Sequence, residues 1–174
     1  IEEKPAYNEN LYSRQIGVFG HETMGKLVKM KVFIQGLQGE ANVDSIGIET
    51  AKNIILAGPA SVTIFDDEVT QLSDLGSNFY LNESHVGTAN RAQACHQSLI
   101  NLNEYVKVNL HSGVVDEEFI KQFDVVCFTN CNDRDYLIRI NNICRTQEKP
   151  IGFIWTANLG LYGNCFVDFG DAHV

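Results

Sequence analysis

Two hydrophobic rhythms alternate along the chain. MKVFIQGL (30–37), SVTIFD (61–66), VKVNLHS (106–112), DVVCFTN (124–130) and PIGFIWTA (150–157) are short and rich in apolar and β-branched residues. The most continuous of these runs have the character of strands buried on both faces of a parallel sheet. Between them the period lengthens to that of a helix. IGIETAKNIILAG (46–58) sets Ile48, Ala51, Ile55 and Leu56 on one face and stops at Gly58-Pro59, a helix-ending pair. A second helix from about Thr88 to Leu102 carries Ala92, Cys95, Leu99 and Leu102 at the same spacing. DEEFIKQF (116–123) is a short helix with acids in its first turn, where they complement the helix dipole. DRDYLIRINNICRTQ (133–147) is amphipathic through Tyr136, Leu137, Ile140 and Cys144. A sixth strand, in GLYGNCFVDFG (160–170), follows the fifth across a turn too short for a parallel crossover, so it runs antiparallel. The expected fold is α/β: a Rossmann-like, doubly wound, mostly parallel sheet with right-handed crossovers and an antiparallel C-terminal strand. Residues 1–174 read as one domain, with about 1–9 as a flexible tail and FGDAHV as a cut through a longer chain.

The first strand runs into a glycine turn, which raises a nucleotide site as a candidate. Its glycines are Gly36, Gly39 and Gly47, whereas a phosphate-cradling turn has G-x-G-x-x-G spacing. Asp66, at the end of the second strand, stands where a ribose-binding acid would. Glu40 and Asp44 lie inside the turn, and two carboxylates beside a pyrophosphate repel it. The pattern therefore favours a packing turn over a phosphate site.

Composition narrows the classes further. A net charge of −9 and a pI near 4.9 argue against a nucleic-acid backbone or an anionic membrane as the main partner. No apolar run approaches the roughly 18 residues of a membrane span. The five cysteines (Cys95, Cys127, Cys131, Cys144, Cys165) form no C-x-x-C pair, so they read as buried free thiols in a reducing compartment, and no metal site is expected. Tyr12, Phe79, Tyr80, Tyr105 and Trp155 read as core, and DDEVTQLSD (66–74) as a solvated acidic loop.

Six blocks then occur in a telling order: LYSRQIGVFGHETM (11–24), GIETAKNIILAG (47–58), LSDLGSNFYL (72–81), VGTANRAQA (86–94), LNEYVKV (102–108) and GLYGNCFVDFG (160–170). Together, over roughly residues 10 to 172, they resemble the ubiquitin-activating enzymes, and within them the N-terminal, inactive adenylation half-domain of ThiF/MoeB-like type. The resemblance implies pairing with an active half of the same polypeptide, which adenylates the C-terminal glycine of ubiquitin with Mg-ATP. A cysteine in a separate domain then takes the acyl group as a thioester, and conjugating enzymes receive it. It also implies a cytoplasmic and nuclear location.

Residue by residue the match is to the inactive partner. Active halves carry S-N-L-N-R-Q after the second strand, where this chain has SDLGSN (73–78), so Asp74, Gly76, Ser77 and Asn78 replace the ATP contacts. Arg91 stands where active halves place a lysine and is expected to be structural. The metal-binding aspartate falls at Thr129, before Asn130. A vestigial site near Gly36, Gly39, Gly47 and Asp66, with no cofactor bound within this chain, is the consequence. Inactive halves read G-L-x-G-L-G-x-E-x-A-K-N, so Glu40–Ser45 is an insertion, expected as an exposed, mobile excursion. The resemblance assigns one chemical role: the arginine of the Y-S-R-Q motif, here Arg14, reaches in trans to the terminal phosphates of the active half's ATP. Two other readings stand beside it, an NAD-dependent Rossmann oxidoreductase using Asp66 and a homodimeric interaction module with no ATP role.

Overall fold

A computed structural model describes residues 7–38, 46–129 and 131–171. The elements run α1 (Ser13–Leu27), β1 (Lys31–Gln35), α2 (Ile46–Ala57), β2 (Ser61–Phe65), α3 (Arg91–Ile100), β3 (Lys107–Leu110), α4 (Glu117–Ile120), β4 (Val125–Thr129), α5 (Arg134–Arg145), β5 (Gly152–Leu159) and β6 (Tyr162–Asp168). Two 3₁₀ turns, Leu72–Gly76 and Glu83–His85, lie between β2 and α3. The strands form one sheet in the order β3-β2-β1-β4-β5-β6, parallel except for the β5–β6 pair. Strand order reverses between β1 and β4, and in open sheets of this kind ligands bind beyond the strand ends at that reversal.

The apolar runs are continuous because both faces of the sheet are covered. In β1, Val32 and Ile34 enter a cluster with Ile48, Ala51 and Ile55 of α2 and with Ala92, Cys95 and Leu99 of α3. Phe33, between them, points the other way and joins Phe128, Phe153, Ile120 of α4 and Ile140 and Cys144 of α5. Alternation along the strand thus feeds two cores at once. Among the described residues no helix is long and apolar enough to cross a membrane.

The strands fall where the hydrophobic pattern places them, most of them trimmed by one or two residues at one or both ends; β5 instead starts two residues later, at Gly152, and extends to Leu159. Helix α3 begins at Arg91 because the Asn90 side chain caps it, accepting from the Gln93 N–H at 2.8 Å. Other expectations fail. Helix α1 was not legible, because it contains Gly17, Gly20 and Gly25, is broken at Gly20 (φ 78, ψ 166) and fully buries Met24 alone. Leu56 lies off the buried face of α2 and is 46% exposed. Tyr12 is core and Tyr80 and Trp155 are half-buried, but Phe79 and Tyr105 stand largely in solvent. Cys95, Cys127 and Cys144 are buried as expected, whereas Cys131 is only half-buried and Cys165 is exposed on the edge strand β6. The 66–74 loop is not simply solvated, since Asp66, Thr70 and Asp74 turn inward. Of the expected tail, residues 1–6 lie outside the described residues. Tyr7 pairs its hydroxyl with His21 Nδ1 at 3.1 Å, and the Asn8 side chain accepts from the Asn10 and Leu11 N–H groups.

Candidate functional site

The β1–β4 reversal is built around two glycines and a threonine. Gly36 takes a positive φ of 95°, which turns the chain sharply out of β1. A Cβ on Gly36 would lie 2.5 Å from the Thr129 Oγ1. One on Gly47, in the first turn of α2, would fall inside the Gly36 carbonyl oxygen and 2.6 Å from the same Oγ1. Thr129, at the end of β4 and 3% exposed, donates its hydroxyl to the Gly36 carbonyl at 2.8 Å. Strand end, turn and helix start therefore close on one another. Gly39 and the Glu40–Ser45 stretch lie outside the described residues, as does Asn130.

Beside this turn sits a buried charge cluster. Asp66, 6% exposed, accepts from the Leu37 N–H at 2.7 Å and the Glu68 N–H at 3.1 Å. Arg91, 2% exposed, donates Nε to Asp74 Oδ2 at 2.8 Å and holds Nη1 3.6 Å from Asp66 Oδ1. Asp74 is fully buried and also accepts from the Gln71 N–H at 2.8 Å. Burial pushes the Asp66 carboxyl above the usual carboxylate range, and the Leu37 hydrogen bond and the Arg91 charge only partly offset it. Asn78, fully buried, donates to the Leu37 carbonyl at 3.2 Å and accepts from the Tyr80 N–H. These side chains are thus used to hold the 66–91 connection against the turn that follows β1.

Chemically, this arrangement can pack and brace. Both Asp66 oxygens are engaged, so neither is presented to a ribose hydroxyl. Thr129 offers a neutral hydroxyl whose proton goes to a carbonyl, where a divalent cation needs carboxylate oxygens; the donor set does not fit Mg²⁺. Among the described residues no group of three or more His, Cys, Asp or Glu side chains could hold a metal. Thiol chemistry is not favoured either: burial raises Cys131 and pushes Cys95 to about 11 and Cys127 and Cys144 to about 12, which keeps them protonated.

Arg14 lies elsewhere. Its neighbours tie the start of α1 to the opposite end of the sheet: Gln15 Nε2 donates to the Ala57 carbonyl at 3.1 Å, and the Tyr12 hydroxyl accepts from Asn103 Nδ2 at 2.9 Å. Helix α2 runs from the glycine turn to Ala57 over 12 residues, which at 1.5 Å per residue separates the two regions by roughly 18 Å. Arg14 is exposed, and among the described residues its guanidinium has no hydrogen-bond or ion-pair partner. The sequence motif gave the residue but not this separation. The Arg91 cluster, in turn, had a signal in the sequence: 91, 95 and 99 share one face of a helix, so a cation on the apolar stripe required a buried acid.

A family profile described as the ThiF family matches residues 12–172. Ubiquitin-like modifier-activating enzyme 1 of Dictyostelium discoideum is 38% identical over 98% of this chain, and ubiquitin-activating enzyme E1 1 of Triticum aestivum is 44% identical over 94%. Ubiquitin-like modifier-activating enzyme 1 of Homo sapiens is 40% identical over 94%. The chain spans 16%, 15% and 15% of the length of these three relatives. Among solved structures, PaaA superposes with a TM-score of 0.70 at 18% identity, covering 90% of this chain and 50% of that one. The E. coli tRNA N6-threonylcarbamoyladenosine dehydratase TcdA, solved in complex with AMP, gives 0.65 at 14% identity, covering 84% and 58%. These two likenesses agree on the fold.

Proposed function

Since the chain belongs to the ThiF family, we propose that it is the non-catalytic half of the adenylation module of a ubiquitin-activating enzyme. In this reading it pairs with an active half in the same polypeptide and supplies Arg14 to the ATP held there. The observation that carries the reading is the placement of Arg14, an exposed cation without a described partner, roughly a helix length away from the chain's own glycine turn. From that position it serves a phosphate held by another domain more readily than one held by its own. Identity of 38–44% to ubiquitin-activating enzymes supports ubiquitin as the substrate and conjugating enzymes as the later acceptors.

In the reaction the C-terminal carboxylate of ubiquitin attacks the α-phosphorus of Mg-ATP and pyrophosphate leaves. Negative charge builds on the departing phosphates as that bond breaks. A guanidinium remains charged at any working pH and can engage two phosphate oxygens at once. Arg14 would thus stabilise the leaving group while the active half supplies the remaining contacts. The dehydrogenase alternative is disfavoured by Asp66, whose carboxylate is already engaged by Leu37, Glu68 and Arg91.

In the full-length gene product, Arg14→Ala is expected to slow ATP–pyrophosphate exchange by about 10- to 100-fold, the worth of one or two charge-assisted hydrogen bonds. The thermal midpoint should not move, because the side chain has no described partner in the fold, and Arg14→Lys should recover part of the rate. Exchange that is unchanged in Arg14→Ala would remove the role.

A further inference from the structure

Strands β2 and β3 depart from the rule that both faces of a parallel sheet are apolar. One face of each joins the core through Val62, Ile64 and Val108. The other carries Ser61 and Thr63 of β2 beside Lys107 and Asn109 of β3. It continues the Phe33 side of β1, since Thr63 stands in register with both Phe33 and Asn109. Helix α4 packs on that side, with the Phe119 ring 5.1 Å from that of Phe33, but it has four residues and is about 6 Å long. A polar cavity of about 560 Å³ is left between β2, β3 and the segment around α4.

The cavity is cationic. Lys31 and Lys107 flank Ser61 in one register row, two strand spacings or about 10 Å apart. Both line the cavity and are exposed, and among the described residues neither ammonium has an ion-pair partner, unlike Lys26, Lys52, Lys121 and Lys149. No described Asp or Glu lines the cavity, and the neighbouring Asp124 is engaged by Lys149 Nζ at 2.8 Å. Thr63, 7% exposed, accepts from Asn109 Nδ2 at 3.3 Å. His111 lines the far end, stacked on Phe119 with ring centroids 3.9 Å apart. Its Nε2 is buried with no hydrogen-bond partner among the described residues, and a buried nitrogen left unpaired marks a place for a polar group from outside.

That lining selects its ligand. Two point charges call for two anionic groups. A nucleic-acid backbone is repelled by a chain of net charge −9. Phosphate sites draw on arginine forks, helix N-termini or clustered backbone N–H groups. No arginine lines this cavity, and the Phe119 N–H of α4 is already taken by Asp116 at 2.8 Å. Carboxylates on an extended peptide fit better. Alternate side chains project to one side about 7 Å apart, within reach of two lysine stems. The Asn109 carboxamide supplies a donor and an acceptor, the complement of a peptide group. We infer that the β2–β3 face docks a short, extended, acidic segment of a partner protein. Carboxylates on alternate residues pair with Lys31 and Lys107, and Asn109 holds the backbone between them. This contact stands apart from the role of Arg14 and survives if that role fails.

The test follows the fluorescence anisotropy of a labelled octapeptide, glutamate alternating with serine, titrated with the full-length polypeptide. Saturable binding is expected, and raising NaCl from about 0.05 M to about 0.5 M should weaken it about ten-fold. Lys31→Gln with Lys107→Gln should weaken it by about ten-fold or more. The thermal midpoint should not move, since both side chains are exposed and carry no described ion pair. Lys26→Gln with Lys29→Gln, which removes the same charge at the end of α1, should bind as the parent does. Carbodiimide, which joins a lysine amine to a carboxylate with loss of water, should cross-link the peptide to Lys31 and Lys107. Equal binding of a glutamine–serine peptide would overturn the inference, as would parental affinity in the Lys31 and Lys107 variant or cross-links that avoid both lysines. Tripolyphosphate that binds through these lysines while the acidic peptide does not would also overturn it, since the ligand would then be a phosphate.

Discussion

Replacing Arg91 with methionine is expected to destabilise the chain by about 3–5 kcal/mol at neutral pH, the usual cost of stranding a buried charge. The methionine roughly fills the space, so the loss is electrostatic. Asp74, fully buried, loses the Nε donor at 2.8 Å, and Asp66 loses its nearest cation at 3.6 Å. The pH dependence follows from Asp66, whose carboxyl burial already holds above the ordinary value of 3.8. Below 3.8 the folded and unfolded chains both hold the proton, and this group leaves stability unchanged. As pH rises through the raised folded value, the unfolded carboxyl has already ionised while the folded one must ionise in a poorly solvated site, so stability is lost. Without Arg91 that loss deepens and extends to higher pH. Urea unfolding should therefore show the largest deficit near pH 7 and a smaller one toward pH 4. Adding Asp74→Asn to Arg91→Met should restore part of the stability, because the two side chains form one pair. A deficit independent of pH would show that the loss is packing and not charge.

Gly47→Ala is expected to cost about 3 kcal/mol or more and to lower the thermal midpoint by roughly 6–12 °C. The added methyl meets the Gly36 carbonyl oxygen and lies 2.6 Å from Thr129 Oγ1. Neither can swing aside, since one is backbone and the other is held by its hydrogen bond to that same carbonyl. Gly17→Ala is the control. No heavy atom outside its own helix lies within 4 Å of that Cβ position, and alanine is the better helix former, so stability should rise by up to about 1 kcal/mol. Differential scanning calorimetry on both variants checks the pair, and equal shifts would mean that the turn is slacker than its contacts imply.

Much of the architecture follows from hydrophobic period alone. Runs such as MKVFIQGL are largely apolar because central strands such as β1 and β4 feed two cores, as buried parallel strands do. The antiparallel β6 follows from the shortness of its turn. Helix α1 is hidden for another reason: it holds three glycines, breaks at Gly20 and fully buries Met24 alone, so its sequence does not read as one continuous helix.

The site divides along the same line. The sequence alone determined that the glycine turn departs from phosphate-cradling spacing, and motif order alone singled out Arg14. Those are statements about which residue follows which. Where the acids near the turn point was a tertiary matter. Asp66 and Asp74 look like ordinary members of an acidic loop until the fold carries Arg91 under it, because a charge is buried only when a distant segment brings its counter-charge. The same holds for Leu56 and Tyr105, whose local patterns call for burial. Exposure is decided by what the neighbouring segments leave uncovered, and here they leave Leu56 and Tyr105 about half exposed.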